Sequence, residues 1–152
     1  MTVVDTSVLS LAFRRRRRLD VEPPAVRALR RMVIEDAPVM IPGIVMQETL
    51  SGVRSDDQFL RLNRLLEAFP VLIADLGHHV AAARISNTCR RRGIIASAVD
   101  CLIAALTISR NASLLTLDAD FSKIATLCDL RLLPIEEAPA EGSRRGLSWR
   151  TP

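Results

Sequence analysis

The sequence has no tyrosine, one tryptophan and four phenylalanines, so aromatic residues make up only 3% of it and any core must be mainly aliphatic. Lysine is nearly absent as well: Lys123 stands alone, and the formal net charge of +4 is carried by arginine. No apolar run reaches the ~18 residues of a membrane-spanning helix. No basic segment precedes an apolar stretch at the N-terminus, as a secretory leader would require. A cytoplasmic protein with no membrane partner is the expectation. The three cysteines, Cys89, Cys101 and Cys128, are odd in number and lack CxxC or Cys/His spacing. That argues against a disulfide framework or a thiolate metal centre and predicts reduced, mostly buried thiols. The two histidines, His78 and His79, are adjacent. Neighbours on a helix point apart, so they make no metal pair by themselves.

The 152 residues suit one domain with a sizeable core. Val3-Val4 ends a short buried strand, Asp5-Thr6-Ser7 follow at once, and Val8, Leu9, Leu11 and Ala12 begin a helical pattern. Arg14–Arg18 then forms an unbroken basic block that repels itself and should be solvated, as a frayed helix end or a loop. Pro23-Pro24 opens a second helix with Val26, Leu29 and Val33 at helical spacing, and Pro38 stops it. Val39–Ile41 reads as a strand, and Ile44–Val53 as a helix that carries Glu48 and ends near Gly52. Asp56-Asp57 opens a helix whose apolar face is Phe59, Leu62, Leu65, Leu66 and Phe69, and Val71–Ile73 is the next strand. A helix from Gly77 to Arg92 ends on Arg90-Arg91-Arg92-Gly93, with cations at its negative pole. Ser97 caps the nearly all-apolar helix Ala98–Ser109, in which Asp100 is the exception. Leu114–Leu117 is a fourth strand, Asp118-Ala119-Asp120-Phe121 leads a short helix to Leu127, and Leu130–Leu133 is a fifth strand. From Glu136 the chain is rich in Pro, Gly, Ser and Arg and carries the isolated Trp149, which predicts a loosely ordered tail over 136–152 after one domain over 1–135. Strands alternating with helices predict an α/β layer fold on a largely parallel sheet of about five short strands.

Acidic residues recur at matching places in this pattern. Asp5 follows the first strand and Asp118 the fourth, so in a parallel sheet both point to one edge, where ligands of such sheets bind. Asp100 lies in the first turn of the most apolar helix, and Glu48 lies on the helix after the second strand, within reach of the same edge. Each position taken singly also suits a helix cap. Taken together, four carboxylates at one edge repel one another, and a hard cation with oxygen ligands relieves that. With no Cys/His set competing, Mg²⁺ or Mn²⁺ is expected over Zn²⁺, and such ions complete their shells with water and phosphate oxygens. Arginine binds phosphate in bidentate geometry, so the basic excess suits a nucleic-acid partner, although a general codon preference for arginine gives the same excess.

VVDTSVL at the start, the Glu in MQETLSG, the Asp in SAVDCLIAA and LLTLDADF near the end occur in order. This ordered set, over roughly residues 1–135, resembles a PIN-domain ribonuclease of the VapC toxin type. The resemblance implies a PIN-like three-layer α/β/α fold and an acidic quartet of Asp5, Glu48, Asp100 and Asp118. Asp120 is a possible alternative to Asp118, and Thr6 and Thr116 occupy polar positions that orient the site. It implies RNA hydrolysis with one or two Mg²⁺ (or Mn²⁺) held by Asp5, Asp100 and Asp118, and with Glu48 completing the shell or orienting the attacking water. It further implies 5′-phosphate and 3′-hydroxyl products, a small VapB-like antitoxin partner whose C-terminal segment lies over the acidic groove, and a homodimer. Arg14, Arg15, Arg16, Arg90, Arg91 and Arg92 are candidates for RNA contact; the first block is not part of the family's motif. An aspartyl-nucleophile phosphatase would need an acid at position 7, which is Ser7, and a phospho-accepting domain would need a lysine better placed than Lys123. A catalytically inactive PIN-like module that binds nucleic acid or protein is the alternative reading.

Overall fold

The computed structural model describes residues 1–13 and 22–135; the Arg14–Arg18 block and the tail from Glu136, with Trp149, lie outside the described residues. Five strands, β1 (Thr2–Val4), β2 (Val39–Pro42), β3 (Val71–Leu72), β4 (Ser113–Leu115) and β5 (Arg131–Leu132), form one sheet in the order β3-β2-β1-β4-β5. Every pairing is parallel, with Val3 opposite Met40 on one side and Leu114 on the other. The helices between them are α1 (Thr6–Phe13), α2 (Pro24–Ile34), α3 (Gly43–Ser51), α4 (Asp56–Leu66), α5 (Leu76–Arg91), α6 (Ala98–Ser109) and α7 (Asp120–Ala125). Parallel neighbours need crossovers, and right-handed crossovers put α1–α4 on one face of the sheet and α5–α7 on the other, giving an α/β/α sandwich.

The core lies where both faces meet the central strands. Val3, Val4, Leu114 and Leu115 are fully buried, as are Val8 and Leu9 of α1, Ile103 and Leu106 of α6, and Phe121 and Ile124 of α7. Aliphatic and phenylalanine side chains of this size contribute ~1.5–3 kcal/mol each on full burial. In α6 the apolar run is buried nearly throughout, and the hydroxyl of buried Thr107 donates to the Ile103 carbonyl oxygen at 2.8 Å. Cys89 and Cys101 are buried and Cys128 half-buried, all as free thiols.

Two sequence expectations change. Of the predicted apolar face of α4, Leu66 is buried and Leu62 and Phe69 half-buried, but Phe59 is 41% and Leu65 53% exposed. Helical spacing marks a face as apolar; it does not say whether another element covers it. Ile73, read as strand, is 70% exposed beyond the end of β3, and the paired segments of β4 and β5 are likewise shorter than their apolar runs.

The connection between α5 and α6 sets the placement of Asp100. Gly93 adopts a left-handed conformation (φ +71°), its N–H donates to the Arg90 carbonyl and the Ile94 N–H to the Cys89 carbonyl. This 5→2 and 6→1 pairing is a Schellman closure, which needs a residue tolerant of positive φ. The chain then reverses into α6. At the far end His78 Nε2 lies 3.0 Å from Ser109 Oγ, so the start of α5 meets the end of α6 and the helices run antiparallel. Among the described residues no helix is long and apolar enough to cross a membrane.

Candidate active site

The order of the strands makes β1 and β4 neighbours even though they are far apart in sequence. From β1 the chain moves outward through β2 to β3, then returns to pair β4 against the other side of β1. That reversal is the topological switch point, and a crevice opens there beyond the carboxyl ends of the two strands. Asp5 and Asp118 follow β1 and β4 and stand on its two sides.

Asp5 is only 5% exposed. Its N–H donates to the Leu115 carbonyl at 3.0 Å, and its own carbonyl accepts from the Val8 and Leu9 N–H groups that open α1. The carboxylate uses one oxygen: Oδ2 accepts from Ser7 Oγ (2.6 Å), Ser7 N–H (3.3 Å) and Thr116 Oγ1 (2.8 Å). Thr116 Oγ1 in turn accepts the Asp118 N–H at 3.0 Å, and Ser7 Oγ accepts the Leu117 N–H at 3.0 Å. Two hydroxyls thus tie the loops after β1 and β4 together through one carboxylate oxygen. Glu48 enters from α3, where its Oε2 accepts from Thr6 Oγ1 at 2.6 Å. Asp118 Oδ1 accepts the Asp120 N–H at 2.8 Å.

Asp100 is the third residue of α6 in a reciprocal capping box: its N–H donates to Ser97 Oγ at 3.0 Å, and its Oδ2 accepts the Ser97 N–H at 3.2 Å. No hydrogen bond joins it to the other three carboxylates among the described residues. Topology brings its helix end toward them. The end of α6 must feed β4 at the edge where strands begin, and twelve residues of helix, ~18 Å, then place the first turn toward the opposite edge. The exposed Arg90, Arg91 and Arg92 lie at that same end of the α5–α6 pair. Asp120 is bound to Lys123 Nζ at 2.7 Å, a pairing that holds the lysine above its ordinary pKa.

A common feature runs through the quartet. Asp5, Glu48, Asp100 and Asp118 each give one oxygen to protein donors, and among the described residues the second oxygen of each accepts none. None of the four forms an ion pair there either. The donor set is all oxygen, which fits a hard divalent cation. The side chains are not yet gathered: among the described residues no three Asp, Glu, His or Cys side chains converge closely enough to hold an ion as they stand. Of the polar partners, Ser7 was not singled out in the sequence as a site residue. A hydroxyl two residues after the first Asp is the only signal for it, and helix starts carry that signal commonly.

These features define a class: an α/β/α domain with a carboxylate crevice at the switch point of a parallel sheet. The chain belongs to the PIN-domain family, which matches residues 2–127. It is 35% identical over 133 residues to Ribonuclease VapC11 of Mycobacterium tuberculosis, covering 86% of this chain and 96% of that protein. Its fold is that of VapBC2 from Rickettsia felis, whose structure is bound to a DNA fragment from their promoter (TM-score 0.69, 18% identity, 87% of this chain and 96% of that one). FitAcB from Neisseria gonorrhoeae is similar to the same degree (TM-score 0.69, 21% identity, 88% and 97%).

Proposed function

We propose that this protein is a ribonuclease toxin of the VapC kind, which hydrolyses RNA phosphodiester bonds at the carboxylate crevice with Mg²⁺ or Mn²⁺ and is neutralised by a cognate antitoxin protein. The observation that carries the reading is Asp5. A buried carboxylate with no cation beside it is costly, and here it is held by hydroxyls on one oxygen only, while among the described residues the other accepts no donor. Family membership and a curated relative named as a ribonuclease, matched along nearly its whole length, support the same conclusion.

Asp5, Asp100 and Asp118 would hold the ion through their uncommitted oxygens, with Glu48 completing the shell or orienting the attacking water. Asp118 is preferred to Asp120 because Asp120 is already paired with Lys123. A bound dication supplies acidity to water and positive charge at the scissile phosphate. The chain's own residues do the rest: Ser7 and Thr116 fix the Asp5 carboxylate, and Thr6 fixes Glu48. Arg90–Arg92, at the helix end that carries Asp100, are candidates to bring phosphates to the crevice. A cytoplasmic setting and a homodimer complete the reading.

Calorimetric titration with Mg²⁺ or Mn²⁺, run beside an RNA cleavage assay with and without EDTA, tests it. Specific ion uptake is expected, with cleavage that EDTA abolishes. Absence of both would leave a binding module on a PIN scaffold.

A further inference from the structure

A cavity of about 610 Å³ opens beside Glu48, between α1, α3 and α4. Its wall has two kinds of surface. Phe13 and Leu65 make an apolar side, and Arg54, Gln58 and Arg61 make a polar one, with Glu48 where the cavity meets the carboxylate crevice. Arg54 and Arg61 are exposed, and among the described residues neither takes part in an ion pair, although Asp57 lies one helical turn before Arg61. Leu65 is more than half exposed on a helix that buries Leu66 beside it. The cavity therefore has open cations, an apolar wall and a border shared with the crevice.

Resting on the reading of that crevice as a phosphodiesterase site, we infer that this cavity is a subsite for single-stranded RNA next to the cleaved bond. It takes one unstacked nucleoside against Phe13 and Leu65, with the adjoining phosphates on Arg54 and Arg61. RNA is a polymer, so a strand leaving the scissile phosphate must cross the surface beside Glu48. Carboxylates repel it there, and the two open guanidinium groups attract it with bidentate geometry. The volume lies within the range of small-ligand pockets. A base fills it only when unstacked, which a duplex does not allow and a single strand does, and an aromatic ring and apolar walls accept any base face. Gln58 offers hydrogen bonds to a base edge. A protein segment bearing acids is the competing occupant.

The test measures binding in EDTA, so that cleavage plays no part, with a short labelled single-stranded RNA of mixed sequence and the same strand annealed to its complement. The single strand is expected to bind more tightly than the duplex. Arg54→Gln and Arg61→Gln should each weaken single-strand binding about tenfold and lower the slope of log affinity against log salt by about 0.7. Leu65→Ser should weaken binding with the slope unchanged, and Arg64→Gln, on the same helix but outside the cavity wall, should change neither. If the arginine variants bind as the parent does while the parent cleaves RNA with Mg²⁺, the subsite is wrong and the crevice reading stands. Tighter binding of a short Asp/Glu-rich peptide than of the single-stranded RNA in the same assay would likewise overturn it in favour of a protein-docking surface. A parent that neither binds nor cuts RNA would overturn both.

Discussion

A strand-end aspartate invites two descriptions, helix cap and ion ligand. Asp5 Oδ2 caps the start of α1, and among the described residues its Oδ1 accepts no hydrogen bond. Asp5 and Asp118 stand out as candidates because charge at strand ends in a parallel sheet has few uses. Ser7 and the two cavity arginines were not legible. A serine in a first turn is ordinary, and single arginines in an arginine-rich chain carry no signal. Ser7→Ala removes a 2.6 Å donor to Asp5 and the acceptor for Leu117 N–H. It should cost ~1 kcal/mol of stability, and RNA cleavage should fall by at least about tenfold if the Asp5 carboxylate needs that restraint; parallel denaturant melts and cleavage rates check it. The thiols make a separate prediction. Burial pushes the Cys101 and Cys128 thiols above their ordinary pKa. Groups raised in the fold stabilise it fully below their unfolded pKa and withdraw that contribution as pH rises through the folded value. The thermal midpoint should therefore decline on the alkaline side of about pH 9, less steeply in Cys101→Ala, as melting curves across pH will show.

Among the elements, the long helices and the parallel, strand–helix alternation were the most readable part of the chain, whereas the strand order was not read from it. Ser97 before an apolar run and Gly93 after a basic helix end announce their caps, and the structure has both. Lengths and coverings were less readable. Apolar runs at Leu114–Leu117 and Leu130–Leu133 exceed the strands β4 and β5, because an apolar side chain fixes neither ladder pairing nor burial; Leu117 is 48% exposed. The α4 face shows the same limit, since spacing cannot say that Phe59 and Leu65 stay exposed. The cap of α6 joins fold to site. Ser97→Ala leaves the Asp100 N–H without its partner and should lower stability by about 1 kcal/mol. Ion affinity should hold, because the contact that orients the Asp100 carboxylate comes from the Ser97 backbone N–H, which alanine keeps. Denaturation and ion titration of the same variant check both.

For the whole molecule, the described core closes with β5 and the residues just after it; Leu133 N–H pairs with Leu114 and Ile135 still packs against the core. The family match ends at residue 127. We propose that residues 1–135 form the folding unit. Truncation after Ile135 should keep a single cooperative unfolding transition with its midpoint nearly unchanged, measured by circular dichroism. Loss of cooperativity would place the tail within the unit.

The central claim is that Asp5 serves chemistry and not only the start of a helix, and one substitution divides these roles. Asp5→Asn keeps the shape and an equally good cap, but offers a hard dication a neutral oxygen in place of an anionic one. The folded variant should keep its stability, because the asparagine carbonyl oxygen can accept from the same Ser7 and Thr116 donors, while its RNA cleavage in Mg²⁺ falls by orders of magnitude. Adding Asp118→Asn should reduce cleavage little further, since the residues act as a unit. Cleavage by folded Asp5→Asn at the parent's rate in Mg²⁺ would contradict the account.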